Sequence, residues 1–232
     1  MEAATNAPLD GGYDAQQSTA LLIPAILQAI ASELEAAHPA PQVAQLVQQI
    51  TARSEAIAAA QAELVVDAQS AGHLELMALL LAAYQVLAQV MPANEARDLL
   101  RRAFITPFQS DIRAGTAALL DSSADPFQAL TALSKEREAH FYGATFSFER
   151  LQDDQHAYLL NVRRCFYHTF LVANGAPELT PMMCAWDTET WGSAVQPARH
   201  KVRFERPTTL GLGGDCCRFW FVRTQPREGG QA

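Results

Sequence analysis

The chain reads as an α+β protein: an N-terminal helical layer or bundle, then an antiparallel sheet domain of order β-β-α-α-β-β with helices packed on it. Three observations predict this. From Ser18 apolar residues recur at helical spacing for about a hundred residues. From Phe141 the period falls to two, Phe146 and Phe148 alternating with Thr145, Ser147 and Glu149. The segment Asn161 to Trp191 then switches back to helical spacing, and two further alternating runs follow it. At 232 residues the chain is long for one compact domain and short for two large ones. The expected division is a flexible leader over 1–17, a helical region over 18–140 and a sheet domain over 141–232 that carries the chemistry.

In order, Leu21, Leu22, Ile26, Ile30 and Leu34 form a first apolar stripe, broken by Pro39 and Pro41. Val43, Leu46, Val47, Ile50, Ile57 and Leu64 form a second. A third helix, His73 to Val90, is apolar nearly all round and suits a bundle centre or a subunit interface. A fourth runs from Asn94 to Leu120 with a bend expected near Pro107, and a fifth follows Asp125-Pro126. Helices of this composition supply buried area, so His38 and His73 are read as solvent-facing or capping. After the hairpin through Gln152 to Gln155, a strand ends at Arg164. A short helix then spans Cys165 to Ala173, closed by Asn174 and Gly175 in a left-handed cap. Thr180 and Pro181 are the N-cap and first-turn pair of a helix running to about Gly192. Strands over His200 to Arg206 and Cys216 to Val222 flank TTLGLGGD, whose glycines suit a tight loop.

Acidic side chains number 25 against 17 basic, a net charge of −8, which argues against nucleic acid or anionic membrane as partner and for a small molecule. Met1 to Ser18 lacks a basic and apolar leader pattern and no apolar run reaches about 18 residues, so a cytoplasmic protein is expected. The all-round apolar third helix predicts a homo-oligomer formed through the N-terminal helices. Four cysteines, Cys165, Cys184, Cys216 and Cys217, fall in the last third and are expected as thiols in a reducing compartment.

The chemistry is concentrated in the sheet domain. Cys165 and His168, three apart at a helix start, can approach each other, and the helix N-terminus favours a thiolate. Cys184 and Asp187 repeat that spacing on the next helix, with Trp191 on the same face. Strand alternation puts Cys217, Phe219 and Phe221 on one side and Cys216, Arg218 and Trp220 on the other, so one of the two adjacent thiols can share a site, and Cys217 is chosen.

The run CFYHTFLVANGAPELTPMMCAWDTETW, followed by VRFERPTTLGLGGDCCRF, resembles the L-2-amino-thiazoline-4-carboxylic acid hydrolase family of bacterial proteins. The anchors are Cys165 and His168, Gly175 with Pro177-Glu178-Leu179, Cys184 with Asp187, Phe204 with Arg206 and Thr209, Gly213-Gly214-Asp215, and Cys217 with Phe219. The resemblance implies a hydrolase opening a small ring with a C=N unit between nitrogen and sulfur. On that footing either Cys184 or Cys165 is the nucleophile, His168 moves the proton, and Asp187 orients the histidine or binds a cationic amidine. Arg206 would grip a substrate carboxylate, with Trp191, Thr209, Asp215 and Cys217 completing the binding site, and the glycine loop would offer N–H groups to developing charge.

No cofactor is expected, although Cys165, His168, Cys184 and Cys217 would also suffice for tetrahedral zinc or iron and so for a metal-dependent enzyme. The non-enzymatic alternative is a small-molecule-binding or scaffold module resembling vinyl-reductase ligand-binding domains. On that reading the thiols are small core hydrophobes and the tryptophans core.

Overall fold

A computed structural model describes residues 14–224. The helices are α1 (Ala15–Glu35), α2 (Ala40–Ala60), α3 (Ala68–Leu87), α4 (Ala93–Ser122) and α5 (Pro126–His140). After them come β1 (Ser147–Asp153), β2 (Ala157–Arg164), α6 (Phe166–Ala173), α7 (Thr180–Glu189), α8 (Pro197–His200), β3 (Val202–Glu205) and β4 (Cys217–Arg223). The predicted α+β order stands.

The helical layer is built round α3. Asp67 caps it through Ser70 N at 2.7 Å, and the Ser70 hydroxyl accepts from Asp67 N at 3.0 Å, a reciprocal pair that satisfies two otherwise orphaned donors. The second Asp67 oxygen accepts from Ala144 N at 2.6 Å, which ties the approach to β1 to the start of α3. The apolar girdle of α3 is spent inside the chain, where Leu74, Met77, Leu80, Leu81 and Leu87 are buried against α1, α2, α4 and α6. The helix has the length and hydropathy of a membrane span, but 78% of its most apolar window lies in the interior. That interior burial removes the ground on which a subunit interface was expected there.

Several local expectations need correction. Asp14 caps α1 by accepting from Gln16 N at 2.8 Å, so 15–17 are helical and not leader, while 1–13 lie outside the described residues. Leu21 is 63% exposed and off the apolar stripe. Thr180 lies inside α7 because a 3-10 turn, Pro177–Leu179, leads directly into it, and Trp191 begins a separate 3-10 turn, Trp191–Ala194. β1 starts at Ser147, after Gly143 (φ +66°) turns the chain.

The sheet is fully antiparallel in the order β1-β2-β4-β3. Tyr158 faces Phe221, Leu160 faces Phe219 and Val162 faces Cys217, which puts one apolar column on a single face. Phe204 and Phe148 extend it through Phe221 and Val162. The opposite face carries Asn161, Arg218, Glu149 and Trp220, whose indole donates to Asn161 Oδ1 at 3.3 Å. Two apolar clusters meet on the covered face, one continuous with the helical layer and one under α5, and both contact Phe148 and Phe219. The site lies at that seam.

Candidate active site

α7 is held against α4 by Trp186, whose ring centroid lies 4.7 Å from Phe104 and 5.6 Å from Phe108. Gln109 adds a bond to Glu189 O at 2.9 Å. This fixes the face of α7 that carries Cys184 and Asp187. Asp187 is spanned by two donors: Arg206 on one oxygen, and on the other the Trp191 indole at 3.2 Å. Arg206 also donates to Cys184 O at 3.0 Å and lies 4.1 Å above the Phe219 ring. Its side chain is only 6% exposed and that of Asp187 16%, so the ion pair is largely withdrawn from water. The guanidinium is therefore neutralised by the protein itself. The expected Arg206 clamp on a substrate carboxylate is corrected to a strut beneath Asp187.

The loop between β3 and β4 brings the second thiol. A 3-10 turn, Leu210–Leu212, ends in Gly213 at φ +82° and lies against α7. The packing is tight: a Cβ on Gly211 would come within 2.8 Å of Thr180 Cγ2 and 3.0 Å of Cys184 Sγ. The neighbouring Leu210 N–H donates to Cys217 Sγ at 3.3 Å, so Cys184 and Cys217 both pack on the same dipeptide. The loop amide expected to meet substrate charge is directed at this sulfur. The two thiols are near enough for each to shift the other's titration: Cys217 is pushed up, while Cys184 is drawn down to about 6 by its neighbouring thiol, then by the nearby buried Thr209 hydroxyl and by Arg206, against the opposing effect of burial.

Cys165 behaves oppositely. It is the N-cap residue of α6, and the N–H groups of His168 and Tyr167 favour its thiolate, but burial outweighs them and pushes the thiol up to about 12. The expectation of a helix-activated Cys165 is corrected on that ground. The His168 imidazole pairs with Thr180 Oγ1 at 3.3 Å rather than with a thiol. Asp215 is 61% exposed and paired with Arg163 and Arg218 on the far side of the sheet edge, away from Cys184. Cys216 immediately precedes β4 and its thiol meets Asp215 at 3.6 Å. Thus Cys184, Asp187, Trp191, Arg206, Thr209 and Cys217 come together, with Cys165 at their edge, and His168 and Asp215 do not join them. All four cysteines are free thiols. Among the described residues no three His, Cys, Asp or Glu side chains converge so as to hold a metal ion, so the set Cys165, His168, Cys184 and Cys217 does not assemble.

Sequence reasoning missed the other wall. Tyr142, half-buried, is raised by burial, with Asp187 and Cys165 adding to the shift and Arg137 and Arg206 opposing it. Tyr167 is likewise raised by burial, with Tyr142, Cys165 and Asp187 adding to it. Its hydroxyl donates to His73 Nδ1 at 3.1 Å, while His73 Nε2–H donates to Phe141 O at 3.0 Å. His73 is therefore a buried neutral imidazole among Phe141, Phe146 and Tyr167, and its reading as solvent-facing or capping is corrected. Burial holds it down at about 4. A cavity of about 30 Å³ opens between α5 and the sheet, lined by apolar side chains with Arg137, Ser134 and Tyr142, and Trp191 forms part of its wall. That volume holds one or two waters.

The sequence profile of a family described as L-2-amino-thiazoline-4-carboxylic acid hydrolase matches residues 72–221. The chain belongs to this family. The matched span starts within α3 and contains every residue of the site just described. No curated protein matches the chain. Among solved structures it is similar to the Fe(II) unliganded H-NOX protein from K. algicida, at 11% identity and a TM-score of 0.31, over 88% of this chain and 97% of that one.

Proposed function

We propose that the protein hydrolyses a small 2-aminothiazoline carboxylate or a closely similar cyclic amidine, with Cys184 as nucleophile. The observation that carries this reading is the packing of the Cys184 and Cys217 thiols on the Leu210-Gly211 turn beside the buried Asp187–Arg206 pair, a setting that draws Cys184 down and pushes Cys217 up. The family's name supports the reaction class.

The chemistry closes on these groups. Cys184 Sγ adds to the amidine carbon while the ring nitrogen takes the proton held by Cys217. The ring C–N bond then breaks as the exocyclic nitrogen forms a new C=N, and a proton passes from that nitrogen to the departing amine. Water adds across the new C=N. Its remaining proton goes to Cys217 as the carbonyl forms, and Cys184 leaves as thiolate. The sum is substrate plus one water, giving a ring-opened carbamoyl thioester. Asp187 and Arg206 fix the Cys184 turn and set its charge. Dependence on free thiols fits a reducing, cytoplasmic setting.

Incubation with L-2-amino-thiazoline-4-carboxylate, followed by mass spectrometry, is expected to show a product heavier by one water, and Cys184→Ala is expected to abolish it. Absence of conversion by the wild type, or undiminished conversion by the variant, would overturn the reading. The largely apolar cavity lining favours one other reading, a ligand-binding module without chemistry, which predicts binding and no conversion.

A further inference from the structure

We infer that Thr209 is a further catalytic residue, its side-chain hydroxyl donating a hydrogen bond to the oxygen that turns negative on a carbon bonded to Cys184 Sγ; this rests on the proposed hydrolase reading. Thr209 directly precedes Leu210 and Gly211, the two residues on which the sulfurs of Cys217 and Cys184 pack. Its carbonyl accepts from Leu212 N at 3.1 Å and from Gly214 N at 2.9 Å, so its backbone is pinned to that turn. The residue is 5% exposed, and its hydroxyl oxygen is buried without a hydrogen-bond partner. A buried hydroxyl with nothing to bond is a standing cost to the fold, and native proteins keep few of them.

The same segment keeps a second. Arg206 Nε–H is buried and unpaired, although Nη1 of that guanidinium is spent on Asp187 and on Cys184 O. Two unspent donors therefore fall on the one stretch, Arg206 to Thr209, that meets Cys184. Thr209 also helps to lower the Cys184 thiol, so its hydroxyl faces that sulfur from beyond hydrogen-bond distance. An oxygen on a carbon bonded to Sγ would fall between the two, and Cys184 is only half-buried, so a small substrate can reach it. In the ring-opening sequence the oxygen brought by water gives its remaining proton to Cys217 and carries negative charge as the carbonyl forms. A hydroxyl donor aimed there stabilises that moment and not the resting enzyme. The Leu210 N–H is spent on Cys217 Sγ and does not supply this bond.

Two reactions of the same thiol test the assignment. Acylation by 4-nitrophenyl acetate passes through an oxyanion on the carbon bonded to Cys184 Sγ, whereas alkylation by iodoacetamide expels iodide and forms none. The Cys184→Ala background is subtracted from both, which removes the other thiols. Thr209→Val keeps the shape and deletes the donor, and is expected to lower acylation relative to alkylation about tenfold or more. Thr209→Ser is expected to restore most of that ratio. A change in thiolate charge alone would move both rates together. Thr209→Val is also expected to keep or raise the urea midpoint, since no bond is lost. An unchanged ratio, or no acylation of Cys184 in the wild type, would overturn the assignment. So would a valine variant that unfolds, by showing that the hydroxyl is bonded within the resting protein. If the ratio depends on Thr209 and L-2-amino-thiazoline-4-carboxylate is not opened, the donor stands and the hydrolase reading falls.

Discussion

Asp187 takes the Arg206 guanidinium on one carboxylate oxygen and the Trp191 indole N–H on the other, and so joins α7, the strand-connecting loop and the 3-10 turn at a single buried point. Neutralising it leaves a guanidinium that is 6% exposed without its counter-charge. Asp187→Asn is expected to cost about 3–5 kcal/mol in urea unfolding. A loss below ~1 kcal/mol would mean that the pair is effectively solvated.

The thiol pair has a pH signature. Only the thiolate alkylates, so the rate of Cys184 modification by iodoacetamide is expected to rise through about pH 6 and level off above it. Cys217→Ala removes the neighbouring thiol that lowers Cys184 and is expected to move the midpoint upward. A wild-type midpoint in the ordinary thiol range, unmoved by that change, would contradict the coupling of the two thiols.

Burial of His73 couples stability to pH. Its folded pKa of about 4 lies below the 6.5 of a free imidazole, so the unfolded chain binds more protons between those values. Stability is complete above pH 6.5 and is lost as pH falls toward 4, by about 3 kcal/mol at most from this group. Substituting His73→Gln should flatten that window in denaturation curves taken at successive pH values. It should also lower stability at pH 7 by about 1–3 kcal/mol, through weaker pairing of Tyr167 and Phe141 O.

Gly211 tests the loop. An added methyl would overlap Thr180 and approach Cys184 Sγ at 3.0 Å, so Gly211→Ala is expected to push the turn off α7. The cost should be about 1–3 kcal/mol in stability. The Cys184 alkylation midpoint should also shift upward as the thiols separate. A variant indistinguishable from wild type in both measurements would show that the turn moves freely.

Much of this architecture was legible in the sequence because it rests on local rules. Asp125-Pro126 started α5 as read, and Gly175 took a positive φ at the end of α6. The alternation in β4 put Cys217 opposite Val162 on the apolar face with Phe219 and Phe221. What the sequence hid is tertiary. Nothing local shows that Asp187 neutralises Arg206, since they are 19 residues apart on different elements. Nor could spacing show that burial would overrule the helix N-terminus at Cys165. His73 sits in a helix of packing residues and gains its meaning only from Tyr167 and Phe141 O, 94 and 68 positions away.

The position of α3 also bears on biosynthesis. α1 and α2 leave the ribosome before it, but α4 and α6, which cover its remaining flanks, are made later. Until Phe166 and Phe170 emerge, a nearly uniformly greasy rod is exposed on one side in the nascent chain. Truncated products ending before α6 should therefore clump or be held by chaperones, and the sheet domain acts as the late lid that makes the helical layer safe in water.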